Sequence, residues 1–245
     1  MQTPSTLADD IVAAHRGASA APRAVTVPPD YATAMRIQHD VARKLEAAVA
    51  GWKLGFSPDG VPVAAPLFAQ LVQASPARLA CPARGYIVEI ELAFRLGRDL
   101  PPEAYTRDDV LAAVDEAMIG IELVAGRFGE PPAVPYLAFL ADNVGNAGYV
   151  TGASTRGFRA LDLTTLPLRF TIDGKVIEEK RGGHPQNDPV EPLRAYASQP
   201  IDAFGGLRKG QIVTTGSISK PLRIEAAARI AASLEGVGDV ELVLA

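Results

Sequence analysis

The chain has 245 residues, 48% of them hydrophobic, and a formal net charge of −4. That length suits one large domain or two small ones with an ample core. Scattered Lys and Arg exclude a basic nucleic-acid face and a polybasic membrane patch, and a lone cysteine, Cys81, excludes an intramolecular disulfide and a cysteine-built zinc site.

Residues 1–20 carry Asp9 and Asp10 and lack a long apolar core, so they do not read as a signal peptide. No apolar run approaches the roughly 18 to 20 residues that span a bilayer. The expectation is a soluble, cytoplasmic protein. Residues 5–14 predict a short amphipathic helix with Leu7, Ile11 and Val12 on one side. The Ala- and Pro-rich stretch 17–28 predicts a linker or mobile segment. The strongest helical pattern covers 30–49, after Pro28 and Pro29, with Gly51 as its stop. Residues 1–50 are thus expected to form an N-terminal helical segment, and 51–245 one compact unit.

A short strand is predicted at 52–56, a turn at Ser57-Pro58-Asp59-Gly60, and irregular, proline-punctuated chain over 62–82. Residues 86–96 read as a strand. Residues 106–117 read as a helix with Thr106 as N-cap and Asp108 and Asp109 in its first turn. A buried strand is expected at 118–124 and a helix at 135–140, after which Ala141-Asp142-Asn143 enters a glycine-containing loop. Strands at 166–172 and 175–178 flank the hairpin signal Asp173-Gly174. A helix at 189–198 and strands at 211–215, 222–225, 230–234 and 240–244 complete the chain. Helices early and strands late point to an α+β class. No internal repeat, G-x-G-x-x-G or phosphate loop is present, so dinucleotide and nucleoside triphosphate chemistry have no support.

The chemistry-bearing signal is Ile87-Val88-Glu89-Ile90-Glu91-Leu92-Ala93-Phe94. Alternate residues of a strand share a face, so Glu89 and Glu91 project together and need a compensating cation. A half-exposed strand with a solvated charged face would account for the pair alone. Glu122 shifts the balance, because every neighbour in Met118-Ile119-Gly120-Ile121-Glu122-Leu123-Val124 is apolar or glycine. A carboxylate buried there without a partner would take up a proton or weaken the fold. Carboxylates from two buried strands form a hard oxygen site suited to Mg²⁺ or Mn²⁺, with positions left for water and substrate. Scarce His and Cys argue against zinc.

Lys53, within Gly51-Trp52-Lys53-Leu54-Gly55, either snorkels to solvent or serves as a cation that pairs with an anionic substrate or acts as a proton donor, its pKa lowered by desolvation. Asp142 and Asn143 are capping residues or site residues. His184, in Gly182-Gly183-His184-Pro185, reads by default as a surface histidine. Ser217 and Lys220 follow the turn Thr214-Thr215-Gly216 and face ligand or water, and His15 and His39 read as structural.

The order of these segments, with Gly97-Arg98-Asp99-Leu100 after the E-x-E strand, resembles the 2-keto-4-pentenoate hydratase / 4-oxalocrotonate decarboxylase family of the fumarylacetoacetate hydrolase superfamily, from about residue 30 onward. The resemblance implies a mixed β-roll core with peripheral helices, a homo-oligomer, and Mg²⁺ or Mn²⁺ held by Glu89, Glu91 and Glu122. It places the family's active-site lysine on Lys53. The resulting site set is Lys53 and Asp142 for catalysis, and Lys53, Leu54, Asn143 and Ser217 for a small 2-oxo acid. The chain departs from the family where Ala125-Gly126 precedes Arg127, and where Pro66-Leu67-Phe68-Ala69 carries no acid. The expected reaction is hydration of a 2-hydroxydienoate. Decarboxylation of a related diacid, acylpyruvate hydrolysis and binding without turnover remain open; none of the three histidines begins an H-x-x-E pair.

Overall fold

The computed structural model describes residues 6–17, 25–199 and 204–245. Residues 18–24 of the expected linker lie outside them. Helix α1 (Leu7–His15) starts in a capping box: Thr6 accepts from the Asp9 amide while Asp9 bonds back to Thr6. In α2 (Tyr31–Leu45) the Asp30 side chain caps the Thr33 amide at 2.6 Å. The helix stops short of the expected residue 49. Glu46 turns left-handed (φ 52°), and the Ala47 amide closes the end on the Ala42 carbonyl at 2.9 Å. Leu7, Ile11, Met35 and Val41 form a side core with Phe68 and Leu140.

The strands are β1 (Val49–Phe56), β2 (Pro62–Phe68), β3 (Val72–Ala74), β4 (Ala77–Leu79), β5 (Tyr86–Leu96), β6 (Val114–Val124), β7 (Asn146–Thr155), β8 (Pro167–Ile172), β9 (Lys175–Arg181), β10 (Ile212–Ser217), β11 (Leu222–Ile224), β12 (Ala228–Leu234) and β13 (Gly238–Leu244). Helices α3 (Arg107–Ala113), α4 (Tyr136–Ala141) and α5 (Glu191–Ser198) interrupt them. One sheet runs β2-β1-β10-β5-β6-β7-β3 with β11 beside β5; the other runs β4-β13-β12-β8-β9. In the first sheet Leu67 of β2 packs with Tyr149 of β7, although four strands separate them in the hydrogen-bonded order. The sheet must therefore curl, and it encloses its inner face.

The class is α+β, as expected, but strands begin at Val49 and continue to Leu244 rather than following the helices. The stretch 62–82 is not irregular: it holds β2, β3 and β4. Pro62 and Pro66 are tolerated in β2 because that strand forms the sheet edge, where a missing donor breaks no second ladder. The helix expected over 106–117 ends at Ala113, because the next eleven residues pair along β5 from Leu96↔Val114 to Ile87↔Val124. The expected loop after Asn143 becomes β7, antiparallel to β6.

Both faces of β5 are covered. Val88, Ile90, Leu92 and Phe94, with Ile119, Ile121 and Leu123 of β6, pack against Leu168, Phe170, Ile230 and Leu242 of the second sheet. Burial of one such side chain stabilises the fold by about 1.5–3 kcal/mol. The opposite face lines the curl, where Ala93, Met118, Tyr149 and Ile212 form a small apolar plug. No helix among the described residues is long and apolar enough to cross a membrane.

Candidate metal centre and cavity

Register brings the acids together. Glu89 stands directly across from Glu122 in the β5–β6 ladder, and Glu91 follows Glu89 on the same face. The three side chains each offer an oxygen, all within 4.8 Å of one another. Glu91 is 1% and Glu122 0% exposed. Like charges placed opposite one another in a sheet are destabilising, so this arrangement does not arise from packing alone.

Across from Glu91 stands Gly120. A Cβ there would lie 2.1 Å from the Tyr149 hydroxyl, which leans over the glycine. Thr214 of β10 donates its hydroxyl to Glu91. Lys53 reaches the cluster because β1 runs parallel to β10, with Lys53 paired to Thr214. Gly51 permits that pairing: a Cβ at this position would sit 2.0 Å from the Ile212 carbonyl oxygen.

The Lys53 ammonium lies 2.7 Å from Glu122 Oε1 and donates to the Val144 carbonyl at 3.2 Å. That carbonyl is aimed by three successive left-handed residues, Asn143 (φ 55°), Val144 (φ 50°) and Gly145 (φ 66°). A β-branched residue in this region is strained, and such strain gathers at functional sites.

Burial opposes charge on Lys53, but Glu122, Glu89 and Glu91 outweigh it and raise its pKa. The lowered pKa expected from desolvation is therefore corrected: the neighbouring acids reverse the direction. Burial raises Glu91 well above the ordinary carboxylate range, with Glu122 and Glu89 adding to it. Burial likewise lifts Glu122 to about 7, against the pull of Lys53.

A divalent cation fits this cluster on three grounds. The donors are all carboxylate oxygens, which hard ions such as Mg²⁺ and Mn²⁺ prefer. Glu122 Oε2 is buried without a hydrogen-bond partner. Three carboxylates against one ammonium leave two uncompensated negative charges when all are ionised.

Lys53, Leu54, Glu89, Glu91, Val144, Thr214 and Ser217 line one cavity of about 470 Å³. Of the expected site residues, Glu122, Asp142 and Asn143 do not line it, Glu122 lying behind the wall in contact with Lys53. Asp142 is buried at the end of α4, accepts the Arg127 amide at 2.7 Å and pairs with its guanidinium at 3.2 Å. Burial raises its pKa to about 6 despite Arg127. Arg127 also donates to the Asn146 carbonyl, and Asn146 Nδ2 donates to Glu122 Oε1 at 2.9 Å. Asp142 thus braces the far side of the metal-ligand candidate Glu122 and does not meet the cavity.

His184 is not the expected surface histidine; it is 6% exposed. Its Nδ1 accepts the Gln186 amide at 3.2 Å, so Nε2 carries the proton and donates to the Thr215 carbonyl at 2.9 Å. Burial lowers its pKa, in keeping with a neutral ring. It pins the loop of Gly183 and Pro185, both of which line the cavity, to the end of β10. Asn146, Tyr149 and Thr214 were missed from sequence. A period-2 reading of 146–151 would have placed Asn146 and Tyr149 on a strand, but Gly145, Gly148 and Gly152 mask that pattern.

A curled mixed sheet enclosing an acidic cluster and a lysine defines the fumarylacetoacetate hydrolase fold class, and the chain belongs to that family: residues 41–244 match the model of the fumarylacetoacetate (FAA) hydrolase C-terminal domain. Within it, the chain is similar to a 2-keto-4-pentenoate hydratase of Burkholderia vietnamiensis, with 30% identity over 153 residues. That match spans 62% of this chain and 58% of the relative. Among solved structures, a 4-oxalocrotonate decarboxylase from Pseudomonas putida G7, complexed with magnesium and adipate, superimposes with a TM-score of 0.81 at 18% identity, over 99% of this chain and 100% of that one. A fumarylpyruvate hydrolase from Pseudomonas aeruginosa, in complex with Mn²⁺ and pyruvate, gives a TM-score of 0.59 at 17% identity, over 79% and 88%.

Proposed function

We propose that the chain is a divalent-metal-dependent hydro-lyase that hydrates a short 2-hydroxydienoate, with Glu89, Glu91 and Glu122 as ligands of Mg²⁺ or Mn²⁺. The observation that carries the reading is the convergence of these acids within 4.8 Å beside Lys53, against a cavity fit for a small molecule. The identity to a named hydratase supports the same reaction class. A bound cation would supply Lewis-acid stabilisation of charge developing on the substrate's C2 oxygen.

Lys53, held by Glu122 and the Val144 carbonyl, faces the same cavity. Its ammonium can neutralise the substrate carboxylate and deliver a proton to a dienolate carbon. Leu54 and Ser217 form part of the wall that positions the chain of the substrate. Water added across the remaining double bond gives a 4-hydroxy-2-oxo acid. Asn146 and Arg127 act as positioning residues, holding Glu122 with its free oxygen turned away from Asn146.

Decarboxylation of a 2-oxo diacid is the second reading. It is favoured by one observation: Glu89 and Glu91 are the only carboxylates among the described residues that line the cavity, so no separate acid is at hand to activate water. Acylpyruvate hydrolysis is less supported, because no histidine lines the cavity among the described residues. A continuous absorbance assay separates these outcomes. Metal-dependent loss of the diene absorbance of 2-hydroxypenta-2,4-dienoate is expected. CO₂ release from 4-oxalocrotonate without dienoate turnover would replace hydration by decarboxylation. Mn²⁺ binding with neither reaction would leave a non-catalytic homologue.

A further inference from the structure

We infer that Tyr136 is a further catalytic residue, whose hydroxyl holds the water that adds to the substrate. The inference rests on the hydration reading and supplies what that reading lacks, since no carboxylate apart from Glu89 and Glu91 lines the cavity among the described residues. Four hydroxyl-bearing side chains line it: Tyr136, Thr214, Ser217 and Ser219. Three are engaged within the protein. Thr214 donates to Glu91, Ser217 donates to the Ser219 carbonyl at 2.9 Å, and Ser219 Oγ accepts the Ile90 amide at 2.9 Å. The Tyr136 hydroxyl has no hydrogen-bond partner among the described residues, so it is left for a molecule in the cavity.

Tyr136 is a braced wall and not a loose ring. It opens α4, and its ring meets that of Tyr31 edge-on with centroids 6.3 Å apart. Tyr31 is tied in turn, its hydroxyl donating to Asp59 in the β1–β2 turn. That end of β1 also brings Gly55 and Phe56 to the cavity, two and three residues beyond Lys53. Two strand residues span about 7 Å, so a substrate whose carboxylate meets Lys53 has room to extend its carbon chain toward Tyr136. Burial lifts Tyr136 to about 12, which keeps it a neutral phenol able to donate and to accept.

By accepting one O–H of the water, the phenol leaves a water lone pair aimed at carbon. Once Lys53 has protonated C5, the acceptor is a 2-oxo-3-enoate. The water oxygen bonds to C4 as the C3=C4 electron pair moves to form C2=C3 and places charge on the C2 oxygen. The water's spare proton leaves to solvent, and C3 takes a proton from solvent as the ketone re-forms. One H and one OH are thereby added.

The test follows 2-hydroxypenta-2,4-dienoate in D₂O by NMR with the Mg²⁺-loaded protein and its Tyr136→Phe variant, which loses the hydroxyl and keeps the ring. In the variant, 4-hydroxy-2-oxopentanoate should form about a hundredfold more slowly. Deuterium entry at C5 should still outpace the protein-free rate, so that 2-oxopent-3-enoate accumulates, with KM for the dienoate unchanged. Equal hydration by the two proteins overturns the assignment. A fall in C5 deuteration that matches the fall in hydration also overturns it, because it marks a merely structural ring. An unsubstituted protein that hydrates no dienoate removes the proposed reaction, and this role with it.

Discussion

Two ion pairs of nearly equal length lie in opposite surroundings. Arg169 of β8 meets Glu179 of β9 at 2.6 Å, with side chains 52% and 64% exposed. Lys53 of β1 meets Glu122 of β6 at 2.7 Å, with side chains 14% and 0% exposed. On β8–β9 water can replace either partner, so the pair contributes about 0–1 kcal/mol. Inside the curl water has no access to Glu122 in the metal-free protein, and two further carboxylates press on the same space. Distance therefore says little about strength; the solvent available to the lone partner decides it.

The largest expected effect comes from removing an acid of the inner cluster. Glu91→Gln should weaken Mn²⁺ binding by about a thousandfold, or about 4 kcal/mol. The metal-free variant should unfold at the same or higher urea concentration, because a neutral amide relieves repulsion. Unchanged Mn²⁺ affinity in a calorimetric titration would take Glu91 out of the ligand set.

Removal of the inner cation comes next. Lys53→Met should destabilise the metal-free protein by about 3 kcal/mol in urea unfolding at pH 8. Glu122, raised from 4.5 to about 7, is protonated more in the folded than in the unfolded chain across that interval. Its stabilising contribution is full below pH 4.5 and is lost as pH rises through about 7. The Lys53→Met penalty should accordingly shrink at pH 6, where Glu122 takes up its proton. A penalty independent of pH would show that Glu122 is not the group left exposed by the substitution. The smallest effect belongs to the surface pair: Arg169→Ala should cost less than about 0.5 kcal/mol, and a loss matching that of Lys53→Met would erase the contrast between the two regions.

The acids were legible in sequence because carboxylates embedded in apolar strands are costly unless used, and strand alternation alone places Glu89 beside Glu91. Their union with Glu122 was not derivable from alternation. β5 and β6 are joined through α3 rather than a tight turn, so no turn chemistry fixes the Glu89↔Glu122 register. β2 was hidden by prolines that only an edge position tolerates, and β7 by glycines needed for close packing. At Gly152, a Cβ would meet the Asp239 carbonyl oxygen at 2.5 Å. Asp142 drew attention as a lone acid before a loop, yet its partner Arg127 lies fifteen residues upstream and takes it out of the cavity. His184 looked solvent-facing in a Gly- and Pro-rich segment, and its link to Thr215 depends on a strand thirty-one residues away.

The left-handed turn at Val144 sets robustness against performance. Glycine at this position would relax the backbone by about 1 kcal/mol or more and so make a sturdier protein. The same relaxation would let the carbonyl swing off Lys53, and under the proposed reaction that would widen the range of directions in which its proton is presented. Selection for durability and selection for turnover would thus pull this one residue in opposite directions, and an awkward valine is the form that a compromise in favour of turnover would take.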